Sequence, residues 1–108
     1  MEKIDWDRDL ALDQASGDEE LLRELLTMFS GTLLASHHRL EEALAAGDFS
    51  RVAQAAHSIK GSASSLGFGQ IADMADTIEK QAWDGGAGEM PEFLARLKAL
   101  EAILSSLG

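Results

Sequence analysis

The sequence contains no cysteine and no tyrosine, and its single proline is Pro91. Without cysteine, the chain has no disulfides, no thiolate nucleophile and no thiolate metal ligand, a composition that fits a reducing cytoplasm. No apolar stretch approaches the roughly 20 residues needed to cross a bilayer, and no basic segment followed by an apolar run marks a signal peptide. We therefore expect a cytoplasmic protein that is not inserted into a membrane.

Positive charge is also scarce. The 108 residues include 9 Lys and Arg against 19 Asp and Glu, which gives a formal net charge of -10. An acidic surface repels nucleic acids and anionic membranes, so neither is expected as a partner. The hydrophobic fraction of 45% is sufficient for one buried core, and the length predicts a single domain over residues 1–108.

Glycines divide the sequence into five predicted helices, and no strand-like segment competes with them. The first predicted helix is short and runs from Trp6 to Gln14, with Asp5 as its N-cap. Ile4, Trp6 and Leu10 are expected to cover one end of the fold.

The four remaining predicted helices are longer. The second begins at a capping box, Ser16–Glu19, and ends at Gly47. The third runs from Phe49 to Leu66 with Asp48 as its N-cap. The remaining boundaries are glycine-rich turns and a proline: the fourth helix follows Gly67, residues 85–88 form a turn, and the fifth helix begins near Pro91.

Apolar residues recur at spacings of three, four or seven along each of these four helices, as expected for one buried stripe per helix. The predicted core positions are Leu22, Leu26, Phe29, Leu33, Leu40, Leu44, Val52, Ala56, Ile59, Ala63, Leu66, Phe68, Ile71, Ala75, Ile78, Ala82, Phe93, Leu97, Leu100, Leu104 and Leu107. Long amphipathic helices joined by short turns predict an all-α fold, an antiparallel four-helix bundle with a short additional N-terminal helix.

The third predicted helix carries a histidine on its solvent face. At about 100° per residue, His57 points roughly 140° away from the core residue Val52. The positions around it on the same side of the helix are Ser50, Ala53, Gln54, Lys60, Gly61 and Ser64. An ordinary exposed face of an acidic protein would carry Glu, Lys and Arg. This face is small and nearly uncharged, so we expect that another protein can approach the imidazole closely.

The residue types near His57 suit group transfer. Imidazole is largely uncharged at neutral pH and can form covalent intermediates. A phosphoryl group on it would carry negative charge, which Lys60 could partly neutralise. A glycine inside a helix costs about 1 kcal/mol against alanine, and clearance beside His57 would explain why Gly61 is kept there. A lone surface histidine is usually only a solvated side chain; the combination with Lys60 and Gly61 favours a phosphoacceptor.

The stretch Ala56–Ala63, Ala-His-Ser-Ile-Lys-Gly-Ser-Ala, resembles the signature of histidine-phosphotransfer (HPt) domains, helical bundles of bacterial and eukaryotic phosphorelays. The resemblance implies that His57 is phosphorylated, that Lys60 lies beside the phosphoryl group and that Gly61 leaves room for the partner. The implied partner is a response-regulator receiver domain, whose aspartate and bound Mg²⁺ exchange the phosphoryl group with the histidine. No cofactor is expected on this chain, and a hybrid sensor histidine kinase is a further candidate partner.

Some members of this family place a glutamine on the fourth helix near the histidine, where this chain has Glu79. A glutamate there resembles the phosphotransfer domain of chemotaxis-type kinases, in which it hydrogen-bonds the imidazole. The segment from Ile4 to Asp18 resembles the opening of relay modules and favours the relay type. Glu79 is therefore either an imidazole-orienting residue that accepts the Nδ1 proton or a solvated glutamate paired with Lys80.

The remaining histidines and the other sequence motifs indicate no further functional site. His37 and His38 are adjacent in the second helix and point about 100° apart, so they cannot chelate one metal; we interpret both as surface or boundary residues. Neither metal-ligand spacing, nor a P-loop, nor a catalytic triad is present, so we predict no metal site and a phosphoryl carrier rather than an enzyme. Two alternatives stay open: an HPt-like bundle that binds partners without being phosphorylated, and a chemotaxis-type phosphotransfer domain.

Overall fold

The computed structural model describes residues 6–86 and 88–107, with side chains through Leu104. The helices, in chain order, are α1 (Arg8–Gln14), α2 (Glu19–Ala45), α3 (Phe49–Ser65), α4 (Gly69–Trp83) and α5 (Met90–Leu107). The described residues contain no strand, and the predicted all-α class is confirmed. None of these helices is both long and apolar enough to span a membrane.

Aspartates begin the first three helices. Asp48 caps α3 as predicted, since its carboxylate accepts from the N–H of Arg51. The predicted capping box at Ser16 is wrong, because Asp18 caps α2 and accepts from the N–H groups of Glu20 and Leu21. Ser16 has a φ of 55° and belongs to the preceding turn. Asp7 caps α1, and the predicted cap Asp5 lies outside the described residues.

In cross-section, the four long helices lie at the corners of a square. α2 and α4 each pack against both α3 and α5, whereas the diagonal pairs α2–α4 and α3–α5 make no close backbone approach in the described ranges. α2 has 27 residues, about 40 Å at 1.5 Å per residue, which matches the longest dimension of 42 Å. Short connections reverse the chain direction each time, so the bundle is antiparallel. α1 packs as an accessory against α2 and α3.

The predicted stripes form the core almost throughout. Every predicted core position from Leu22 to Leu104 is buried except Leu44, which is half-buried. The side chain of Leu107 and the whole of Ile4 lie outside the described residues. Leu10 is 38% exposed, so its predicted place in a cover over the end of the fold is wrong; Ala11 and Ala15 are the buried residues on that side.

The segment before α1 is fastened to the turn between α3 and α4. The indole N–H of Trp6 donates to the Leu66 carbonyl over 2.8 Å, and its ring stacks on Phe68 with centroids 5.5 Å apart. The Asp7 N–H donates to the Gly67 carbonyl over 2.8 Å. Because α3 and α4 meet at this turn, these contacts hold together the two helices that carry the site described below.

At Gly67, the close contact between the segment before α1 and the turn leaves no room for a side chain. Its φ is +83°, and an added Cβ would come within 2.3 Å of the Asp7 carbonyl oxygen. We predict that Gly67→Ala lowers the free energy of unfolding by about 2 kcal/mol or more. Urea titration followed by circular dichroism measures the change.

Gly31→Ala is the matched control for that prediction. Gly31 lies within α2, and an added Cβ there meets no atom within 4 Å, so we expect a gain of up to about 1 kcal/mol from helix propensity. Equal stability of Gly67→Ala and the wild type would show that the segment before α1 is not held rigidly against the turn.

Candidate functional site

His57 projects from α3 into solvent, on the face that the periodicity predicts. Its side chain is 67% exposed, whereas Val52, Ala56 and Ile59 on the other face of the same helix are buried. The helix backbone fixes the Cα–Cβ direction, so the ring is displayed on a rigid element rather than on a loop.

The carboxylate of Glu79 on α4 contacts the imidazole. His57 Nδ1 lies 3.0 Å from Glu79 Oε2 and 3.3 Å from Oε1. The side chain of Glu79 is only 17% exposed, so the carboxylate lies in the seam between α3 and α4. Of the two interpretations of Glu79, the geometry agrees with the contact to the ring, and Lys80 pairs instead with Asp76.

Lys60 joins the same carboxylate from one turn further along α3. Its Nζ donates to Glu79 Oε1 over 2.9 Å and to Asp76 Oδ1 over 3.3 Å. Asp76 Oδ2 in turn lies 2.9 Å from Lys80 Nζ. Lys60 is thus bound by two carboxylates of α4, one of which it shares with His57.

These contacts determine which ring nitrogen carries the proton. The hydrogen bond from Lys60 holds the pKa of Glu79 below its usual 4.5; burial opposes this lowering, and the hydrogen bond with His57 adds a smaller lowering. The same hydrogen bond, together with the one to Asp76, raises the pKa of Lys60. Glu79 is therefore an ionised acceptor at neutral pH, so Nδ1 carries a proton. Within the described residues, Nε2 of His57 makes no hydrogen bond.

The predicted access positions divide into two groups. Ser50, Gln54, Gly61 and Ser64 are exposed, and an added Cβ at Gly61 meets no atom within 4 Å. Ala53 is the exception. Its side chain is fully buried, because α3 packs between α2 and α4 and buries a wider arc than the predicted stripe. The prediction that Ala53 contributes to partner access is therefore wrong.

His37 differs from its predicted surface or boundary position. It is 6% exposed, and its Nδ1 lies 3.0 Å from Glu101 Oε1 on α5. Glu101 lies 64 residues away in sequence and on another helix, which is why periodicity within α2 could not identify it. His38 is exposed as predicted.

Two features of the described structure were not predicted from the sequence. A groove of about 340 Å³ opens between α2 and the end of α3, lined in part by Met28, Thr32, Ser62 and Ser65. Met28 is 68% exposed, an unusual position for a large apolar side chain. Asp76 is the second feature. Both depend on which helices become neighbours, so no pattern within one helix indicates them.

The chain is similar to known proteins both in sequence family and in fold. The family model described as Hpt domain matches residues 24–107. No curated protein sequence gives a significant match. Histidine-containing phosphotransfer protein B of Pseudomonas aeruginosa PAO1 superposes with a TM-score of 0.83 at 24% identity, over 98% of this chain and 92% of that chain.

A second solved structure gives a similar result. The HPT domain of the Hpt sensor hybrid histidine kinase from Shewanella superposes with a TM-score of 0.80 at 21% identity, over 94% of this chain and 92% of that chain. Both likenesses establish the fold, and the family match covers most of the sequence. The chain therefore belongs to the Hpt domain family, the phosphoryl carriers that exchange with response regulators and histidine kinases in two-component phosphorelays.

Proposed function

We propose that His57 accepts the phosphoryl group and exchanges it with the aspartate of response-regulator receiver domains. One observation carries this proposal: the ring is 67% exposed while its Nδ1 is bonded to a mostly buried carboxylate. A histidine that is only solvated has no need of a buried partner. A histidine that serves as a nucleophile benefits from one, because the bond fixes the tautomer and leaves the Nε2 lone pair available.

The transfer step is balanced in atoms and charge, and no further residue of this chain has to donate or accept a proton. The Nε2 lone pair forms the N–P bond, the P–O bond to the receiver aspartate breaks, and its electron pair stays on the aspartate as a carboxylate. The Nδ1 proton remains between the ring and Glu79 throughout, so the imidazolium character of the phosphorylated ring is balanced by that carboxylate. The return step is the reverse, and the protonated ring is then a good leaving group.

Lys60 supplies positive charge to the transferred group. Its Nζ already contacts the carboxylate that holds the ring, so a small rotation of its flexible stem would bring the ammonium to a phosphoryl group on Nε2. We propose that the Mg²⁺ needed for the exchange is bound by the receiver domain and not by this chain. Phosphoryl transfer requires mainly positioning and charge stabilisation, and these groups provide both.

The receiver is proposed to dock over the small-residue face. Gln54, Gly61 and Ser64 are exposed around His57, as is Ser50 one turn earlier. The neighbouring α3 residues Ser62 and Ser65 line the groove beside Met28 on α2. Small side chains allow a partner to bring its aspartate close to Nε2, and an exposed methionine provides an adaptable apolar contact.

We further propose that residues 1–108 act as one cytoplasmic carrier domain with no nucleotide site of its own. The Shewanella structure comes from a hybrid sensor histidine kinase, which supports such a kinase as a donor to this domain or as the larger protein that contains it.

The contact between Glu79 and His57 also favours a second candidate, the phosphotransfer domain of a chemotaxis-type kinase. The two functions differ in the immediate source of the phosphoryl group. Label that arrives from a phosphorylated receiver domain supports the relay function, and label that arrives only from an ATP-bound kinase domain supports the second candidate.

His57→Gln is the direct test of the acceptor. We predict that this variant folds normally and takes no acid-labile label from phosphoramidate or from a phosphorylated receiver, because the nucleophilic nitrogen is absent. His38→Gln on α2 is the matched control and should label like the wild type, and we expect the same of His37→Gln. Label retained in His57→Gln would contradict the proposal, and an unlabelled wild type would favour an interaction bundle that is not phosphorylated.

Gly61→Gln tests the access face. The substitution is expected to raise the free energy of unfolding by up to about 1 kcal/mol through helix propensity, and to slow transfer because a side chain then stands beside His57. Chemical denaturation and the rate of transfer from a phosphorylated receiver measure the two effects. Ala95→Gln, on the exposed side of the diagonal helix α5, should leave the rate unchanged. If Gly61→Gln unfolds the domain, the glycine serves packing instead.

Glu79→Ala tests the fixed tautomer. In the wild type at neutral pH we expect the long-range ¹⁵N spectrum of the His57 ring to report a protonated Nδ1, and in the variant a mixture with protonated Nε2. Because the pKa of Glu79 is lowered in the folded protein, its pairing stabilises the fold above its usual pKa of 4.5 and is lost as the pH falls through the lower, folded-state pKa. Identical ring spectra for wild type and Glu79→Ala would show that the carboxylate does not fix the proton.

A further inference from the structure

Asp76 is the one member of the charged group beside His57 that neither the family resemblance nor the sequence pattern assigns. It lies on α4 one turn before Glu79, with its side chain 37% exposed. Its two carboxylate oxygens have separate partners: Oδ1 lies 3.3 Å from Lys60 Nζ, and Oδ2 lies 2.9 Å from Lys80 Nζ.

The charges along the seam between α3 and α4 alternate in sign. In spatial order they are Lys80, Asp76, Lys60 and Glu79, with the imidazole of His57 next to Glu79, and each neighbouring pair is in contact. The hydrogen bonds from Lys80 and from Lys60 both lower the pKa of Asp76, so this carboxylate is ionised at neutral pH. Lys80 holds Asp76 from the far side, and Asp76 holds Lys60 from the side away from His57.

We infer that Asp76 is a positioning residue that competes with the phosphoryl group for Lys60. The inference rests on the proposed role of His57. Before phosphorylation, the ammonium of Lys60 has two carboxylate partners. A phosphoryl group on Nε2 is a third anion, and Nε2 points away from the Nδ1 side of the ring on which Glu79 holds Lys60. The ammonium must therefore move to reach the phosphoryl group, and this movement weakens one of its existing contacts. The contact to Asp76 is the longer of the two, at 3.3 Å against 2.9 Å, and it does not involve the ring, so it is the one released.

This competition determines how strongly the site stabilises the phosphorylated ring. A carrier must release the group as readily as it accepts it, so a lysine committed entirely to the phosphoryl group would hold the group too tightly. With Asp76 present, each gain in contact to the phosphoryl group is offset by a loss of contact to Asp76. Removal of the Asp76 charge should therefore increase the stabilisation of the phosphoryl dianion by Lys60.

The second ionisation of the phosphoryl group reports this stabilisation directly, without a receiver domain. The full chain is phosphorylated with phosphoramidate, and the ³¹P signal of phosphohistidine is followed by NMR as the pH is varied. We expect Asp76→Asn to lower the phosphoryl pKa by about 0.5 unit, the size typical of exchanging one partly exposed ion pair for another. Lys60→Ala should raise it, and the double variant should match Lys60→Ala alone.

Two further variants separate the proposed role from general effects of charge. Asp73→Asn removes a carboxylate from the exposed surface of the same helix and should leave the phosphoryl pKa near that of the wild type. Asp76→Glu retains the carboxylate and should restore most of the wild-type value. Thermal melts of all variants are expected to agree within a few degrees, since only partly exposed pairs are altered.

Three outcomes overturn the inference while leaving the role of His57 intact. The first is an unchanged phosphoryl pKa in Asp76→Asn. The second is an equal fall when Lys60 is already alanine, which would mean that Asp76 acts on the phosphoryl group directly. The third is an equal fall in Asp73→Asn, which would indicate a general effect of net charge. A wild-type protein that gives no phosphohistidine signal would overturn the proposed function, and the inference with it.

Discussion

The carboxylate of Glu79 is the contact on which the site depends. It accepts from His57 Nδ1 and from Lys60 Nζ at the same time, and it is the point at which α4 reaches the reactive face of α3. Without it, the imidazole would be an exposed ring that populates both tautomers, and the lysine would be directed only by Asp76. With it, the imidazole and its neighbouring cation are oriented by one group that is itself held in the seam between two packed helices.

That carboxylate can serve both partners only because the register between α3 and α4 is fixed. The turn at Gly67 is short, and Trp6 and Asp7 are hydrogen-bonded to it. The stacked rings of Trp6, Phe68 and Phe29 connect the same turn to α2. A slip of α4 by one residue would rotate Glu79 by about 100° and remove it from the ring. The aromatic end of the bundle therefore contributes to the position of Glu79 beside the ring.

The extent to which the sequence predicted the structure depended on whether a feature lies within one helix or between helices. The 3.6-residue period placed Val52, Ile59 and Ile78 in the core and His57 outside it, because these positions follow from the helix geometry alone. Ala53, His37 and Asp76 were misplaced or overlooked, because their surroundings are supplied by a neighbouring helix. Glu79 was identified as a candidate by resemblance, and only the structure resolves the choice between a solvated glutamate and one that contacts the ring.

The first residue of α2 also could not be located from the sequence alone. Ser16 and Asp18 are both good N-cap residues, and the sequence pattern favoured Ser16 because of the glutamate three residues later. The backbone of Ser16 has a φ of 55°, outside the extended region that an N-cap residue adopts. The residue types alone do not specify the local backbone conformation, and it is this conformation that makes Asp18 rather than Ser16 the N-cap of α2.

Most of the buried residues of α3 and α4 are alanines, whose side chains are single methyl groups. α3 contributes Ala53, Ala56 and Ala63, and α4 contributes Ala75 and Ala82, all of them buried. Small side chains at a crossing let helix axes approach toward the lower end of the usual range of about 8–10 Å. Close packing of the two backbones suits the reach of a glutamate, since Glu79 on α4 contacts the ring on α3 over 3.0 Å. A wider separation would leave its oxygens short of the ring. A larger residue in place of one of these buried alanines would push the two helices apart and alter the phosphotransfer site from inside the bundle.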